Sequence, residues 1–83
     1  MATTITECDD SVYVLISAVD GLLQNNSPST LRVVFDVSLP TVGTEVFHSL
    51  RRGEAVQKLN DIPAGNIYVR SDTGKHNKVA FSG

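Results

Sequence analysis

The chain has 83 residues, of which 41% are apolar, 19% charged and 6% aromatic, with no Trp and a formal net charge of −2. This length excludes more than one domain, and the single cysteine, Cys8, excludes an internal disulfide and a cysteine zinc site. The weakly acidic balance, with Arg51-Arg52 as an isolated basic pair, does not predict nucleic-acid binding.

The first ten residues, MATTITECDD, are polar and acidic. They have neither the apolar stretch of a signal peptide nor the length of a membrane span. We therefore predict a polar N-terminal arm over residues 1–10 and a protein that stays in the cytoplasm unless it leaves as part of an assembly.

Residues 11–18 form the first predicted strand, with the β-rich run Val-Tyr-Val-Leu-Ile at its centre. Alternation directs three β-branched side chains toward the core: Val12, Val14 and Ile16. Tyr13 and Leu15 then point outward, although both side chains are large enough to bury. We therefore expect the chain's own tail or a neighbouring molecule to cover the outer face of this strand.

The clearest alternation lies in residues 31–38. Arg32, Asp36 and Ser38 occupy one face of an extended chain, and the other face is apolar: Leu31, Val33, Phe35 and Val37. This pattern predicts a half-buried strand that Pro40 ends.

Residues 45–59 leave two interpretations open. An amphipathic helix capped by Thr44 would carry Gly53 in its middle, at a cost of about 1 kcal/mol. We favour two strands, Val46–Leu50 and Ala55–Leu59, with a turn between them.

The connection between the last two predicted strands contains Asp72-Thr73-Gly74, as in an aspartic protease, and Gly74-Lys75, as at the end of a phosphate-binding loop. A phosphate loop needs glycines upstream of the lysine and a helix after it, and this sequence predicts neither. A protease Asp shares a dry, apolar site with a second carboxylate, whereas the polar and charged neighbours of Asp72 in sequence predict a solvated side chain. We interpret the stretch as a hairpin turn in which Gly74 supplies a positive φ.

Further half-buried strands are predicted around Ile67 and Val69 and around Val79 and Phe81. Turn-forming residues separate the alternating runs at intervals of roughly 8–12 residues. The predicted fold is all-β, a small antiparallel β-sandwich of about six to seven short strands with jelly-roll or Ig-like topology. Residues 11–83 would form this single domain.

No residue pattern predicts catalysis, a metal or another cofactor. His48 and His76 lie in separate segments without ligand spacing. Cys8 is flanked by Glu7 and Asp9, whose negative charges raise the pKa of a thiol and disfavour the reactive thiolate. Asn25-Asn26-Ser27 matches a glycosylation acceptor, which we interpret as a loop. We predict that the protein is not an enzyme.

Binding residues are predicted instead on the outward faces of strands. Tyr and Arg are enriched at interaction hot spots, so Tyr68 and Arg70 could contact a sugar or a protein neighbour, with a solvated sheet face as the alternative. The full set of candidate interaction residues is Tyr13, Leu15, Tyr68, Arg70, Asp9 and Asp10.

The order of these features resembles the small β-sandwich virion proteins of tailed bacteriophages, of the capsid-decoration, head-fibre or tail-associated type. The similar segments are, in order, residues 11–17, residues 23–27 leading into 31–38, Ser38-Leu39-Pro40, residues 47–50 before Gly53-Glu54, and residues 67–70 before a short final strand. The resemblance extends over residues 11–81, with Tyr13 where such proteins commonly have Trp or another aromatic residue.

The resemblance implies a structural role in a particle, with no catalytic residues. The protein would be synthesised in the host cytoplasm and become part of the virion, docked on the major capsid or tail shell protein. A homo-oligomer is implied, a trimer by family habit. From charge and composition we expect neither nucleic acid nor a membrane as a partner. We hypothesise that the arm, residues 1–10, reaches a neighbouring subunit or the particle surface. Two alternatives stay open: a glycan-binding or adhesion module, and a phage-encoded intracellular inhibitor or interaction protein.

Overall fold

The structure is a computed structural model that describes residues 3–17, 19–41, 43–45, 47–60, 62, 64–72 and 77–83. In these residues the chain forms eight β-strands and no helix. The strands are β1 (Thr3–Cys8), β2 (Val14–Ser17), β3 (Gly21–Asn25), β4 (Leu31–Asp36), β5 (His48–Leu50), β6 (Ala55–Lys58), β7 (Asn66–Ser71) and β8 (Asn77–Ser82). The prediction of an all-β sandwich is confirmed.

The strands form two four-stranded sheets, and every neighbouring pair is antiparallel. Sheet A has the order β1-β8-β3-β6, and sheet B has the order β2-β7-β4-β5. Within them, β1 pairs with β8, β2 with β7, β3 with β6 and β4 with β5. The first strand thus pairs with the last, the second with the second-last, and so on toward the middle of the sequence. This is the pairing of a jelly roll, in which a long antiparallel hairpin is rolled into two packed sheets. Of the two predicted topologies, the structure therefore has the jelly roll.

The core lies between the sheets and comes mainly from alternate residues of their central strands. Its buried members are Cys8, Leu23, Leu31, Val33, Leu50, Ile67, Val69, Val79 and Phe81. The predicted inward faces of β4, β7 and β8 are thus confirmed. Phe35 only packs at the margin, and Val37, predicted to be inward, is 83% exposed beyond the end of β4. Val12, also predicted to be inward, is 51% exposed before the start of β2.

The segment predicted as a polar arm, residues 1–10, instead contributes an edge strand to sheet A. Strand β1 pairs with β8 along its whole length, from Thr3 opposite Ser82 to Cys8 opposite Asn77. This corrects the interpretation of the segment as an arm. Thr is enriched in strands because its β-branched side chain packs on a pleated surface, so a Thr-rich run forms a half-exposed edge without an apolar alternation.

The connections also differ from the predicted ones. Residues 45–59 contain two strands, β5 and β6, as favoured, but these lie in different sheets. Strands β7 and β8 likewise lie in different sheets, so the stretch between them crosses the sandwich and is not a hairpin. Gly74, predicted to have a positive φ, and His76 lie outside the described residues. Strand β3 was not predicted, because Asp20-Gly21 and Asn25 suggested turns on both sides of it.

A buried asparagine ties the connection between β3 and β4 to the end of β5. Asn25 is fully buried, and its Nδ2 donates to the carbonyls of Ser29 and Leu50 at 2.7 and 2.9 Å. Its Oδ1 accepts hydrogen bonds from the backbone nitrogen and Oγ of Ser27 at 2.8 and 2.7 Å. The asparagine of the glycosylation-like triplet is therefore a structural residue.

Candidate functional site

The outer face of sheet B carries a layer of aromatic and arginine side chains. We call it the aromatic–arginine face, formed by Tyr13, Arg32, Val34, Phe47, Tyr68 and Arg70. Val34 and Tyr68 are opposite each other in the β4–β7 register. Tyr13, just before β2, clusters with them, and Phe47, just before β5, packs against this cluster. The tertiary fold thereby covers the outer side of the sheet with residues from its own connections.

Each arginine of this face lies over an aromatic ring. The Nε and Nη2 atoms of Arg32 lie 2.8 and 2.7 Å from Oδ1 of Asp72, and its guanidinium carbon is 4.4 Å from the ring centroid of Phe47. The guanidinium carbon of Arg70 is 5.6 Å from the ring centroid of Tyr13. The negative face of an aromatic ring attracts a cation at such distances.

Three of the predicted binding residues are buried on this face. Tyr13, Tyr68 and Arg70 are 4%, 6% and 7% exposed. Oη of Tyr13 and Nε of Arg70 are buried with no hydrogen-bond partner among the described residues. Tyr68 and Arg70 therefore point outward from the sheet as predicted, but they are covered rather than solvated, and neither presents a ring face or a free guanidinium to a ligand.

The other predicted binding residues border the same face. The carbonyl of Asp10 accepts a hydrogen bond from Nη1 of Arg70 at 2.9 Å. Oδ1 of Asp9 accepts hydrogen bonds from the backbone nitrogen and Oγ of Ser11, at 2.9 and 2.5 Å. Leu15 is an exposed residue of the edge strand β2. The structure thus brings the six residues to one side of the sandwich, where most of them hold the fold together.

Cys8 has the chemistry of a core residue. Its side chain lies between the sheets, and burial, with a smaller contribution from the charge of Asp9, raises the pKa of the thiol from 9.0 to about 11. At neutral pH the thiol is therefore protonated, and a protonated thiol is neither a nucleophile nor a good metal ligand.

The remaining catalytic candidates are also explained by ordinary contacts. Asp72 is an exposed residue that forms an ion pair with Arg32, while the rest of its triplet, Thr73 and Gly74, lies outside the described residues. His48 is exposed on the edge strand β5, with its ring edge-on to Phe35 at a centroid distance of 6.1 Å. Among the described residues, no group of three or more His, Cys, Asp or Glu side chains is placed to hold a metal ion.

An exposed aliphatic surface lies at one end of the sandwich, where β2 leads to β3, β4 to β5, and β6 to β7. We call it the apolar end, formed by Val19, Val37, Leu39, Leu59 and Ile62, which are 57–83% exposed. These residues belong to the three connections at that end, residues 18–20, 37–47 and 59–65. Most of the exposed large aliphatic side chains of the described chain therefore lie at one pole of the molecule.

Direct contacts join the β6–β7 connection to its neighbours at this end. The backbone nitrogen of Asn60 donates to Oδ2 of Asp20 at 2.7 Å, which joins the β6–β7 connection to the β2–β3 connection. Gly65 packs so closely on the backbone of Asp36 that an added Cβ would lie 2.9 Å from it, and Nζ of Lys58 donates to the Gly65 carbonyl. The β6–β7 connection is therefore fixed against the β2–β3 connection and against Asp36, the residue from which the β4–β5 connection starts.

The two ends of the sandwich differ in the charged residues that their connections carry. In sequence, the three connections at the apolar end carry Asp20, Glu45 and Asp61 and no Lys or Arg. The connections at the opposite end, residues 9–13, 26–30, 51–54 and 72–76, carry both signs of charge: Asp9, Asp10, Arg51, Arg52, Glu54, Asp72 and Lys75. A partner of the apolar end would thus meet aliphatic side chains with acidic groups among them.

Sequence reasoning did not identify the apolar end. It assigned Val37 and Leu59 to strands that end earlier in the structure, and it interpreted the segments between strands only as turns. The signal lay in their composition: Val-Ser-Leu-Pro-Thr-Val and Leu-Asn-Asp-Ile-Pro combine turn-forming residues with large aliphatic ones. Turns are normally polar, since they lie on the surface. Aliphatic residues in a turn therefore indicate either a local core or a contact surface.

No protein-family model, curated protein or solved structure matches the chain. No helix in the described part of the chain is long and apolar enough to cross a bilayer.

Proposed function

We propose that this protein is a non-catalytic structural subunit, a virion protein of the bacteriophage type, that joins a larger assembly by protein–protein association. The observation that carries the proposal is the apolar end, where five large aliphatic side chains on the three connections at one end of the sandwich are 57–83% exposed. Exposed aliphatic surface gathered in one place is typical of contact sites.

The chemistry of the apolar end also describes the partner. Apolar burial would supply most of the binding free energy, since it scales with the area removed from water. Acidic side chains and no basic ones lie in these connections, and complementary charge across an interface favours the correct partner and orientation. The partner surface should therefore be apolar with basic groups at its margin, as a patch on a capsid or tail shell protein could be.

The virion setting comes from the resemblance of the sequence to small phage virion proteins. Jelly rolls occur in viral capsid proteins and in lectins alike, so the fold is compatible with this setting but does not select it. The glycan-binding alternative used Tyr68 and Arg70 together with Asn and Asp residues of the loops, and the burial of Tyr68 and Arg70 counts against it.

Two variants test the role of the apolar end. The double variant Val37→Glu, Ile62→Glu places charges on its two most exposed residues, and Val12→Glu is the matched control because Val12 is an exposed aliphatic residue at the opposite end. Because all three side chains are exposed, each variant should fold like the wild type by circular dichroism. We expect the double variant to be depleted from purified particles by about tenfold or more, and Val12→Glu to be retained.

The measurement is quantitative peptide mass spectrometry on particles purified from a culture that expresses each variant. A fixed, high ratio of the wild-type protein to the major shell protein supports the proposal. Absence of the wild type from particles while it is abundant in the lysate would overturn the virion role and favour the intracellular interaction protein. Equal retention of the double variant would overturn the apolar end as the docking surface.

A further inference from the structure

Four strands lie at the edges of the two sheets: β1 and β6 in sheet A, and β2 and β5 in sheet B. An edge strand has unpaired backbone N–H and C=O groups that can pair with another chain, and natural proteins usually prevent this with short strands, bulges or inward-pointing charges. The edges of this protein differ in whether they carry such a feature.

Three of the four edges are protected. Strand β5 has only three residues. Strand β2 has a register shift between Leu15 and Ser17 that interrupts its ladder. Strand β6 carries Lys58, whose side chain points inward and is 2% exposed. Each feature is one of the known obstacles to edge-to-edge pairing.

Strand β1 has none of these protections. It is six residues long, its register with β8 is unbroken, and it contains no Pro, Lys or Arg. Successive residues of an antiparallel strand direct their backbone hydrogen-bonding groups alternately to either side, so half of β1 presents donors and acceptors away from β8. Ile5, at its middle, is 57% exposed.

The sequence of β1 suits a second copy of itself. Thr4-Ile5-Thr6 reads the same in both directions, so an antiparallel pairing with Ile5 opposite Ile5 sets Thr4 opposite Thr6 on both sides. Paired β-branched residues such as these are favourable cross-strand neighbours. The same register sets Glu7 opposite Thr3, which keeps the two Glu7 carboxylates apart.

We infer that two copies of this chain associate through β1, with Ile5 on the two-fold axis, so that the two A sheets become one continuous eight-stranded sheet. In this register the outer faces of both A sheets lie on the same side, because residues opposite each other in an antiparallel pair point to the same face. Ile5 would then meet Ile5 of the second copy, with Ala80 beside each one. Such a contact is isologous and gives a closed dimer, whereas the family resemblance implies a trimer.

The inferred dimer adds a self-association contact to the proposed function. Only a role of the dimer in a particle rests on that proposed function. The first test is the molar mass of the purified full chain in solution, by sedimentation or light scattering over a concentration series. We expect the wild type to approach twice the monomer mass of 8.9 kDa. In Ile5→Lys, two ammonium groups would lie directly opposite each other in the dimer. We therefore expect dimerisation of this variant to be weakened by about tenfold or more, so that it is monomeric at concentrations at which the wild type is a dimer.

Leu15→Lys is the matched control. Leu15 is also on an edge strand and is 52% exposed, but it lies on the protected edge of sheet B. It should leave the dimer intact, and both variants should keep the circular dichroism spectrum of the wild type. A monomeric wild type, or an Ile5→Lys variant that still dimerises, overturns the inference. If that monomeric wild type is still present in particles, the proposed function is unaffected.

A disulfide tests the register. In the inferred dimer the Cα atoms of the two Ile5 residues are about 4.5–5.5 Å apart, within the disulfide range of about 4.4–6.8 Å. On a Cys8→Ala background, Ile5→Cys should therefore form a covalent dimer on mild oxidation. Thr3→Cys should not, since Thr3 lies opposite Glu7. Cross-linking of Thr3→Cys but not of Ile5→Cys would overturn the pairing.

Discussion

Arg32 and Arg70 lie directly opposite each other on neighbouring strands of sheet B, where two like charges would be expected to repel. The fold separates their environments. Arg32 is partly exposed and bonds to the carboxylate of Asp72, whereas Arg70 is buried and bonds to the carbonyl of Asp10. The pair therefore persists because each guanidinium has its own oxygen partner and its own aromatic ring.

The two arginines should differ in their contribution to stability. Arg70→Ala removes a buried side chain and the anchor of the β1–β2 connection, and should lower the free energy of unfolding by about 2–4 kcal/mol. Arg32→Ala removes a partly exposed ion pair and should cost about 1 kcal/mol or less. Urea denaturation at one pH and salt concentration measures both, and equal losses would contradict this account.

The two tyrosines of the aromatic–arginine face should respond in opposite directions to loss of their hydroxyl groups. Oη of Tyr13 is buried without a partner among the described residues, so Tyr13→Phe should leave stability unchanged or raise it by about 1 kcal/mol. Oη of Tyr68 accepts a hydrogen bond from Nδ2 of Asn66 at 3.4 Å, so Tyr68→Phe should lower stability slightly. Thermal unfolding midpoints of the two variants provide the comparison. A clear loss in Tyr13→Phe would show that its hydroxyl has a partner.

Asn25 and Asn26 are adjacent residues with opposite expected sensitivities. Asn25 is fully buried and satisfies four hydrogen bonds through its side chain, so Asn25→Ala should cost about 3 kcal/mol or more, since its former partners lose their bonds inside the protein. Asn26 is exposed, and Asn26→Ala should stay within about 0.5 kcal/mol of the wild type. Chemical denaturation of both variants tests this, and a mild effect at Asn25 would mean that water replaces its partners.

Gly53 and Gly65 both have a positive φ but differ in the space around them. Replacing each by alanine therefore distinguishes the cost of backbone strain from the cost of steric overlap. Gly53 has a φ of 81° and open space where an added methyl group would lie, whereas Gly65 has a φ of 97° and the backbone of Asp36 at 2.9 Å from the same position. Gly53→Ala should cost about 1–2 kcal/mol from backbone strain alone. Gly65→Ala should cost at least about 1–3 kcal/mol more, because overpacking is added to the same strain. Equal unfolding midpoints for the two variants would contradict the close contact at Gly65.

The buried thiol predicts a pH dependence of stability in the alkaline range. The pKa of Cys8 is about 11 in the folded protein, against an ordinary value of 9.0. Between these two pH values the unfolded chain loses the thiol proton first, so stability falls as pH rises through that window and is unaffected by this group below it.

The measurement is the free energy of unfolding from pH 8 to pH 11 for the wild type and for Cys8→Ala. Other groups titrate in this range, so the difference between the two proteins isolates the thiol. The difference in the free energy of unfolding between the wild type and Cys8→Ala should become smaller as pH rises above about 9. If this difference in the free energy of unfolding does not change with pH, the thiol is already accessible to water in the folded protein.

The candidate surfaces were harder to predict than the fold. The sequence correctly placed Tyr68 and Arg70 on an outward face, but burial depends on what packs over that face. Phe47 and Tyr13 reach it from separate connections, and no local pattern encodes that approach. The apolar end was not predicted, because alternation placed Val37 in the core and Leu59 in a strand, and the segments between the predicted strands were interpreted only as turns.

By itself, the sequence determined the all-β class and the inner faces of the central strands, because alternation along residues such as Leu31 and Val33 or Ile67 and Val69 is a local consequence of the pleat. It did not determine which strands pair. Strand β1 bonds to β8 across almost the whole chain, and that partnership alone makes the Thr-rich N-terminal segment a strand. Edge strands, covered faces and the apolar end were decided by the tertiary structure, because each depends on contacts between residues far apart in sequence.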